Sequence, residues 1–250
     1  MITYKTEQEI QKIAKGGAIL KNVLGEVINT VKPGITTKEL DEKAEKLIYK
    51  QGGSPGFKRV KNYRWTICSP VNEQVVHTPP TSRALENGDV LTIDCGVFYE
   101  GFHTDAAKTV VVGKSTQATI AKFLEVGKKT LQQAISKAIL GNRIGHISGA
   151  IESGIRANNY QVIKELTGHG VGRQLHEDPL IPGISSADVN KTPELKAGMV
   201  LAVEVIYSFG TDKITYESHN DWSIKTADGS ISACFEDTIA ITKKKTLILT

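Results

Sequence analysis

The sequence has 250 residues, enough for one large domain or two small ones, and its 40% apolar and 23% charged residues make it too apolar for a disordered chain. Lys and Arg outnumber Asp and Glu by 31 to 27, and aromatics are scarce at 6%; this mild charge of +4 excludes a dedicated nucleic-acid binder with stacking platforms. Three cysteines with no C-x-x-C pair exclude a disulfide framework and a thiolate zinc site, and no signal-peptide core or apolar run of about 18 residues occurs, so buried reduced thiols, no membrane association and a cytoplasmic location are expected.

Thr6 to Glu9 reads T-x-x-E, a capping box, and Ile10, Ile13, Ala14, Leu20, Val23, Leu24, Val27, Ile28 and Val31 follow at helical spacing up to Pro33-Gly34. A second box, Thr36 to Glu39, opens a helix with Leu40, Ala44, Leu47 and Ile48 inward, ended by Gly52-Gly53. From Ile67 to Gly113 the pattern is strand-like, and VLTIDCGV, a turn at Tyr99-Glu100-Gly101 and HTDAAKTVVV predict a hairpin. Helices return at 117–139 and 144–157, and two strand-like runs, MVLAVEVIYS and SISACFEDTIAIT, follow a Gly/His-rich stretch. One constant offset pairs Gly34 with Gly141, Leu40 with Ile147, Ala44 with Ile151 and Ile48 with Ile155. With the repeated element order this predicts one α+β domain over 1–250, made of two pseudo-symmetric halves, 1–113 and 114–250, each with two helices and antiparallel strands. A site is expected in the cleft between them.

Asp94 lies in the apolar run Val90-Leu91-Thr92-Ile93-Asp94-Cys95, and Asp105 follows on the returning strand of the same hairpin. Glu204 and Glu236 sit in equally apolar runs of the second half. An ionised carboxylate in a buried strand is costly without a partner, and four such acids in four strands point to a shared cation. GHGVGRQLHEDP supplies His169 and His176, and NEQVVHT supplies His77. Its glycines are no dinucleotide fingerprint, because neither an apolar strand nor an apolar helix flanks them. An imidazole with four carboxylates is a hard, oxygen-rich donor set, suited to two divalent ions such as Mn, Fe(II), Co or Zn.

Taken together, Asp94, Gly101-Phe102-His103-Thr104-Asp105, GHGVGRQLHEDP, GMVLAVE and SACFEDT resemble the type I methionine aminopeptidases over essentially the whole chain. The resemblance implies the duplicated pita-bread fold and a dinuclear metal site that removes the N-terminal methionine of nascent polypeptides through a metal-activated hydroxide. It further implies Asp94, Asp105, His169, Glu204 and Glu236 as ligands, with Asp105 and Glu236 bridging and Glu204 taking up the water's proton. His176 would stabilise the developing oxyanion, and His77 would bond near the scissile nitrogen. Tyr63, Cys68, His77 and Trp222 match positions of the methionine pocket, with His176 beside them. A monovalent cation near the backbone of Thr92, Cys95 and Ser232, a monomeric state and weak ribosome association belong to the same set of expectations; no specific nucleic-acid partner does.

The sequence departs from the family pattern at Val60, Leu175, Pro182-Gly183, Val205, Cys234 and Asp237. None removes a ligand, but those near the pocket bear on specificity for methionine. Glu236-Asp237 also resembles the E-D of the related Xaa-Pro peptidases, the alternative enzyme reading. Some pita-bread proteins have lost metal and serve as binding modules, whereas all five candidate ligands are present here.

Overall fold

The computed structural model describes residues 1–114, 118–218 and 220–250. Four helices form where the apolar spacing predicts them: α1 (Glu7–Ile28), α2 (Thr37–Lys50), α3 (Ala118–Lys137) and α4 (Ile144–Arg156). Both capping boxes are made. The hydroxyls of Thr6 and Thr36 accept the N–H groups of Glu9 and Glu39, and each Glu accepts the cap residue's own N–H at 2.8 Å. The helices end before the glycine and proline breakers, α1 at Ile28 and α2 at Lys50. The expected start of the third helix at Gln117 lies outside the described residues.

The strands of the first half are β1 (Ser54–Pro55), β2 (Ile67–Cys68), β3 (Gln74–Val76), β4 (Val90–Tyr99) and β5 (Phe102–Val111). Those of the second are β6 (Gln161–Val162), β7 (Thr167–Gly170), β8 (Glu177–Pro182), β9 (Val200–Ser208), β10 (Ile214–Tyr216), β11 (Ile224–Thr226), β12 (Ser232–Ile241) and β13 (Thr246–Ile248). β4 and β5 form the predicted hairpin, with β1 and β2 on the far edge of β4. In the second sheet β12 pairs with β9 and β13, while β6 and the β7–β8 pair lie along the other edge of β9. The Gly/His-rich stretch thus contains two strands that its sequence does not announce.

Strand alternation decides which face is which. Leu91, Ile93, Cys95 and Val97 of β4 pack beneath α1 and α2, and Leu201, Val203, Val205 and Tyr207 of β9 pack beneath α3 and α4. Each buried aliphatic side chain of these two layers contributes about 1.5–3 kcal/mol. Gly127 lets α3 sit close to its sheet, since a Cβ there would lie 2.5 Å from the Tyr207 hydroxyl. Asp94, Asp105, Glu204 and Glu236 occupy the alternate positions, on the face away from the helices. Among the described residues no helix is long and apolar enough to cross a membrane.

The repetition extends to single bonds. Gly34 N–H donates to Leu85 and Gly141 N–H to Leu195; Gly88 N–H donates to Val112 and Gly198 N–H to Ile241. The bridge Thr36–Ala84 has its counterpart in Arg143–Glu194. β5 and β12 lie side by side between the two sheets and are joined reciprocally through threonine. Thr238 Oγ1 accepts the Asp105 N–H at 2.9 Å and donates to the Asp105 carbonyl at 2.7 Å. Thr109 Oγ1 does the same with Cys234, at 3.1 and 2.7 Å. Thr109→Val keeps the shape and strands the Cys234 N–H, the Cys234 carbonyl and the buried Thr92 hydroxyl, so it is expected to lower the unfolding free energy by about 2–3 kcal/mol. Denaturant unfolding in chelator measures this, and a loss below about 0.5 kcal/mol would show that the junction does not depend on the hydroxyl.

Candidate metal centre and active site

Strand register brings the four acids together. Glu204 faces Glu236 directly across β9 and β12, while Asp94 and Asp105 stand opposite Ala107 and Gly96 across β4 and β5. His169 on β7 is paired with Ala202 of β9, and its Nε2 comes to 3.5 Å from Glu204 Oε1 and 3.9 Å from Asp105 Oδ2. Ligand atoms of Asp105, His169 and Glu236 all lie within 4.8 Å of one another.

This arrangement needs a positive charge that the cavity's side chains do not supply. The cavity of about 330 Å³ around the acids is lined, among the described residues, by neither Lys nor Arg. Among the described residues, Asp94 Oδ1, Asp105 Oδ1 and Glu236 Oε1 are buried and find no hydrogen-bond partner. Burial pushes the carboxyl of Asp94 up to about 7, and burial first, then mutual repulsion, holds those of Asp105, Glu204 and Glu236 well above the usual range. His169 Nδ1 lies 2.9 Å from the Gly170 carbonyl, which only accepts, so Nδ1 carries the proton. Burial lowers this imidazole to about 4, leaving it neutral with the Nε2 lone pair aimed at carboxylate oxygens. Facing lone pairs repel unless a proton or a cation stands between them, and the oxygen-rich set fits hard divalent metal. Asp105, His169 and Glu236 present ligand atoms close enough to share one such ion, with Asp94 and Glu204 beside them in the same cavity.

The remaining expected residues line the same cavity. Tyr63 packs edge-on to Phe57, Trp65 and Trp222, with its hydroxyl donating to the Ile67 carbonyl at 2.8 Å and lying 3.1 Å from Cys68 Sγ. Asp41 accepts the N–H groups of Thr66 and Ile67 at 2.7 and 2.9 Å, which fixes β2 and Cys68 behind the pocket; no local signal in the sequence marks this role. Burial pushes the Cys68 thiol well up, which makes it an inert wall and not a nucleophile. All three cysteines are free and buried. His77 holds a left-handed backbone, φ 59°, and is exposed where it borders the cavity. His176 stacks edge-on against His169 with centroids 4.5 Å apart.

Among the departures, Val60 and Leu175 line the cavity. Val205 points into the helix-covered core, and Cys234 packs among Val76, Ala107 and Ile206. Asp237 receives the Thr250 hydroxyl at 3.2 Å and stands apart from the cavity lining. The hydroxyls of Thr92 and Ser232 are engaged with Thr109 and the Gln74 carbonyl, each at 2.8 Å. Glu165, Leu166 and Leu180 also line the cavity; they lie in the loop before β7 and on β8, where sequence periodicity offers no signal.

A model of metallopeptidase family M24 matches residues 11–243. Methionine aminopeptidase 1 of Bacillus subtilis is 42% identical over 250 residues, covering 100% of this chain and 99% of that protein. Methionine aminopeptidase of Clostridium perfringens is 40% identical with the same coverage. A crystal structure of methionine aminopeptidase from Thermotoga maritima is similar with a TM-score of 0.96 at 35% identity, over 100% of this chain and 99% of that one. A prolidase from Pyrococcus furiosus shares the fold, with a TM-score of 0.78 at 22% identity over 99% of this chain and 65% of its own. Full-length matches of this kind, together with a buried acid cluster that calls for metal, place the chain in metallopeptidase family M24, among the methionine aminopeptidases.

Proposed function

We propose that residues 1–250 form one catalytic unit, with halves 1–113 and 114–250, that hydrolyses the peptide bond after an N-terminal methionine of a nascent polypeptide. The observation that carries this reading is the convergence of four buried carboxyl groups and a neutral imidazole lone pair on a cavity that, among the described residues, holds neither Lys nor Arg, beside a pocket walled by Tyr63, Cys68 and Trp222. Asp94, Asp105, His169, Glu204 and Glu236 would hold two divalent ions drawn from Co, Mn, Fe(II) or Zn. When bound, such ions supply Lewis-acid polarisation and lower the pKa of water toward neutrality. A structural monovalent cation at the backbone of Thr92, Cys95 and Ser232 belongs to the same proposal, as do a monomeric state, a cytoplasmic location and weak docking on the ribosome.

The side chains divide the remaining work. Tyr63, Cys68, His77 and Trp222 wall the space for the thioether, where sulfur and ring faces favour methionine over branched isosteres. Glu204, whose burial raises its proton affinity, takes the proton given up by the attacking water as its oxygen adds to the scissile carbonyl carbon. His176 donates to the oxygen as it becomes negative, and His77 bonds at the scissile nitrogen. The C–N bond then breaks, with the proton delivered to the leaving amine. Val60 and Leu175 make their part of the pocket wall aliphatic.

Peptides beginning Met-Ala, Met-Lys and Ala-Pro, assayed in parallel on metal-reconstituted protein, test the reading. Turnover of Met-Ala alone is expected, whereas preference for Ala-Pro would favour the Xaa-Pro peptidase alternative. No turnover of any peptide, with no uptake of added Mn or Co, would favour a binding module.

Asp105→Ala or Glu236→Ala is expected to abolish turnover and reduce the metal retained after gel filtration; near-normal activity in either would refute the ligand assignment. His176→Ala should lower kcat by about 10²-fold or more, the scale of losing one oxyanion donor, and a change confined to KM would contradict that role.

The carboxyl shifts also set a pH dependence. A carboxyl that holds its proton more tightly when folded contributes stability that is lost as pH rises from about 4 through its folded value, about 7 for Asp94. The buried histidines lowered to about 4, His103 and His169, act oppositely, losing stability as pH falls below about 6.5. Above about pH 6.5 the carboxyls therefore dominate. The unfolding temperature of chelated protein should fall between about pH 6.5 and 8, and added Mn should raise it more at pH 8. Thermal unfolding monitored by circular dichroism checks both signs, and a rise in the chelated protein would show that acid repulsion does not govern its stability in this range.

A further inference from the structure

His176 is carried on the irregular segment between β7 and β8, and its neighbour Glu177 begins β8. The ring is placed by packing against His169 and by the path of the backbone on either side. That path is held from the other end of the chain. Lys5 Nζ lies 2.5 Å from Glu177 Oε2, in a pair whose side chains are only 4% and 6% exposed, and Nζ also reaches Thr3 Oγ1 at 2.6 Å. The second carboxylate oxygen of Glu177 accepts the Gln174 N–H at 3.1 Å. Gln174 in turn accepts the Gly172 N–H at 3.0 Å, and Gly172 accepts the His103 N–H at 2.7 Å.

Lys5 is itself immobilised. Its N–H donates to the Gly198 carbonyl at 2.7 Å, and the capped first turn of α1 follows at once. Its stem crosses Gly172 so closely that a Cβ there would stand 2.3 Å from Lys5 Cε. A second ion pair of opposite polarity lies beside it: Arg173 of the loop pairs with Glu9 of α1, whose other oxygen closes the capping box. The start of the first half therefore grips the loop at two points of alternating sign. Two apolar side chains would bury the same area at less desolvation cost, whereas a buried, hydrogen-bonded ion pair also fixes a direction.

We propose that Lys5 is a positioning residue for the hydrolysis: through Glu177 it sets the backbone next to His176 and so aims that imidazole at the substrate oxygen. This rests on the role assigned to His176 above. Lys5 touches neither the substrate space nor the acid cluster, and it acts through the loop alone.

The test is a double-mutant cycle on the full, metal-reconstituted chain, using a Met-Ala peptide. Lys5→Met is expected to lower kcat about tenfold with KM changed less than about twofold, the pattern of a misplaced transition-state contact. Lys5→Arg should recover most of the rate. In a His176→Ala background Lys5→Met should cost less than about twofold, because the group it aims is gone. Lys5→Met/Glu177→Gln guards against failure to fold, since it removes both buried charges, and it should remain as slow as Lys5→Met. In metal-free protein the ring-proton resonance of His176, assigned by its absence in His176→Ala, should shift or broaden in Lys5→Met. Equal losses in both backgrounds, full recovery in the double variant, or an unchanged resonance would overturn the proposal. If His176→Ala itself leaves kcat unaltered, the role of His176 falls and this inference falls with it.

Discussion

The two halves meet through a pair of hydroxyl groups. β5 and β12 run side by side, and Thr109 and Thr238 each insert one oxygen between the N–H and C=O of a residue on the opposite strand. A hydroxyl both donates and accepts, so one side chain satisfies two buried backbone groups that have no ladder partner. The residues it holds are Asp105 and Cys234, and the distance across the cleft follows from them. The approach of Asp105 and Glu236, and with it the shape of the acid cluster, is a consequence of this junction.

Everything at the centre then follows from charge. The helices on the outer faces and the apolar alternate positions of the strands remove water from the acids, which raises their proton affinity and their mutual repulsion together. A protein that answered this with Lys or Arg would have an ordinary ion-pair network. This one places neither among the described residues of the cavity, and turns the His169 lone pair inward by committing its proton to the Gly170 carbonyl. The structure is thereby poised for a cation supplied from outside.

Much of this is legible in the sequence because strand period and side-chain chemistry are local. The capping boxes, the β4–β5 hairpin and the placing of Asp94, Glu204 and Glu236 opposite their apolar neighbours all follow from residues within a few positions of one another. Two-residue strands such as β1 and β6 are set by pairing partners far along the chain, and a run of glycines and histidines hides β7 and β8. Leu180 and Glu165 reach the cavity through loop paths that no periodicity encodes. Lys5 escapes for the same reason: its partner lies 172 residues further along the sequence, and a lysine beside a capping box reads as solvent-facing.

The duplication is also incomplete in an informative way. By the correspondence that equates Thr109 with Thr238, the mate of Asp105 is Cys234 and the mate of Glu236 is Ala107, while Asp94 and Glu204 are both acids. One half lends two acids and the other lends two acids and an imidazole. A fully two-fold centre would present the same field to a peptide approaching in either direction. Breaking the symmetry gives the cleft a polarity, and a polar cleft can tell the amino end of a chain from the rest of it.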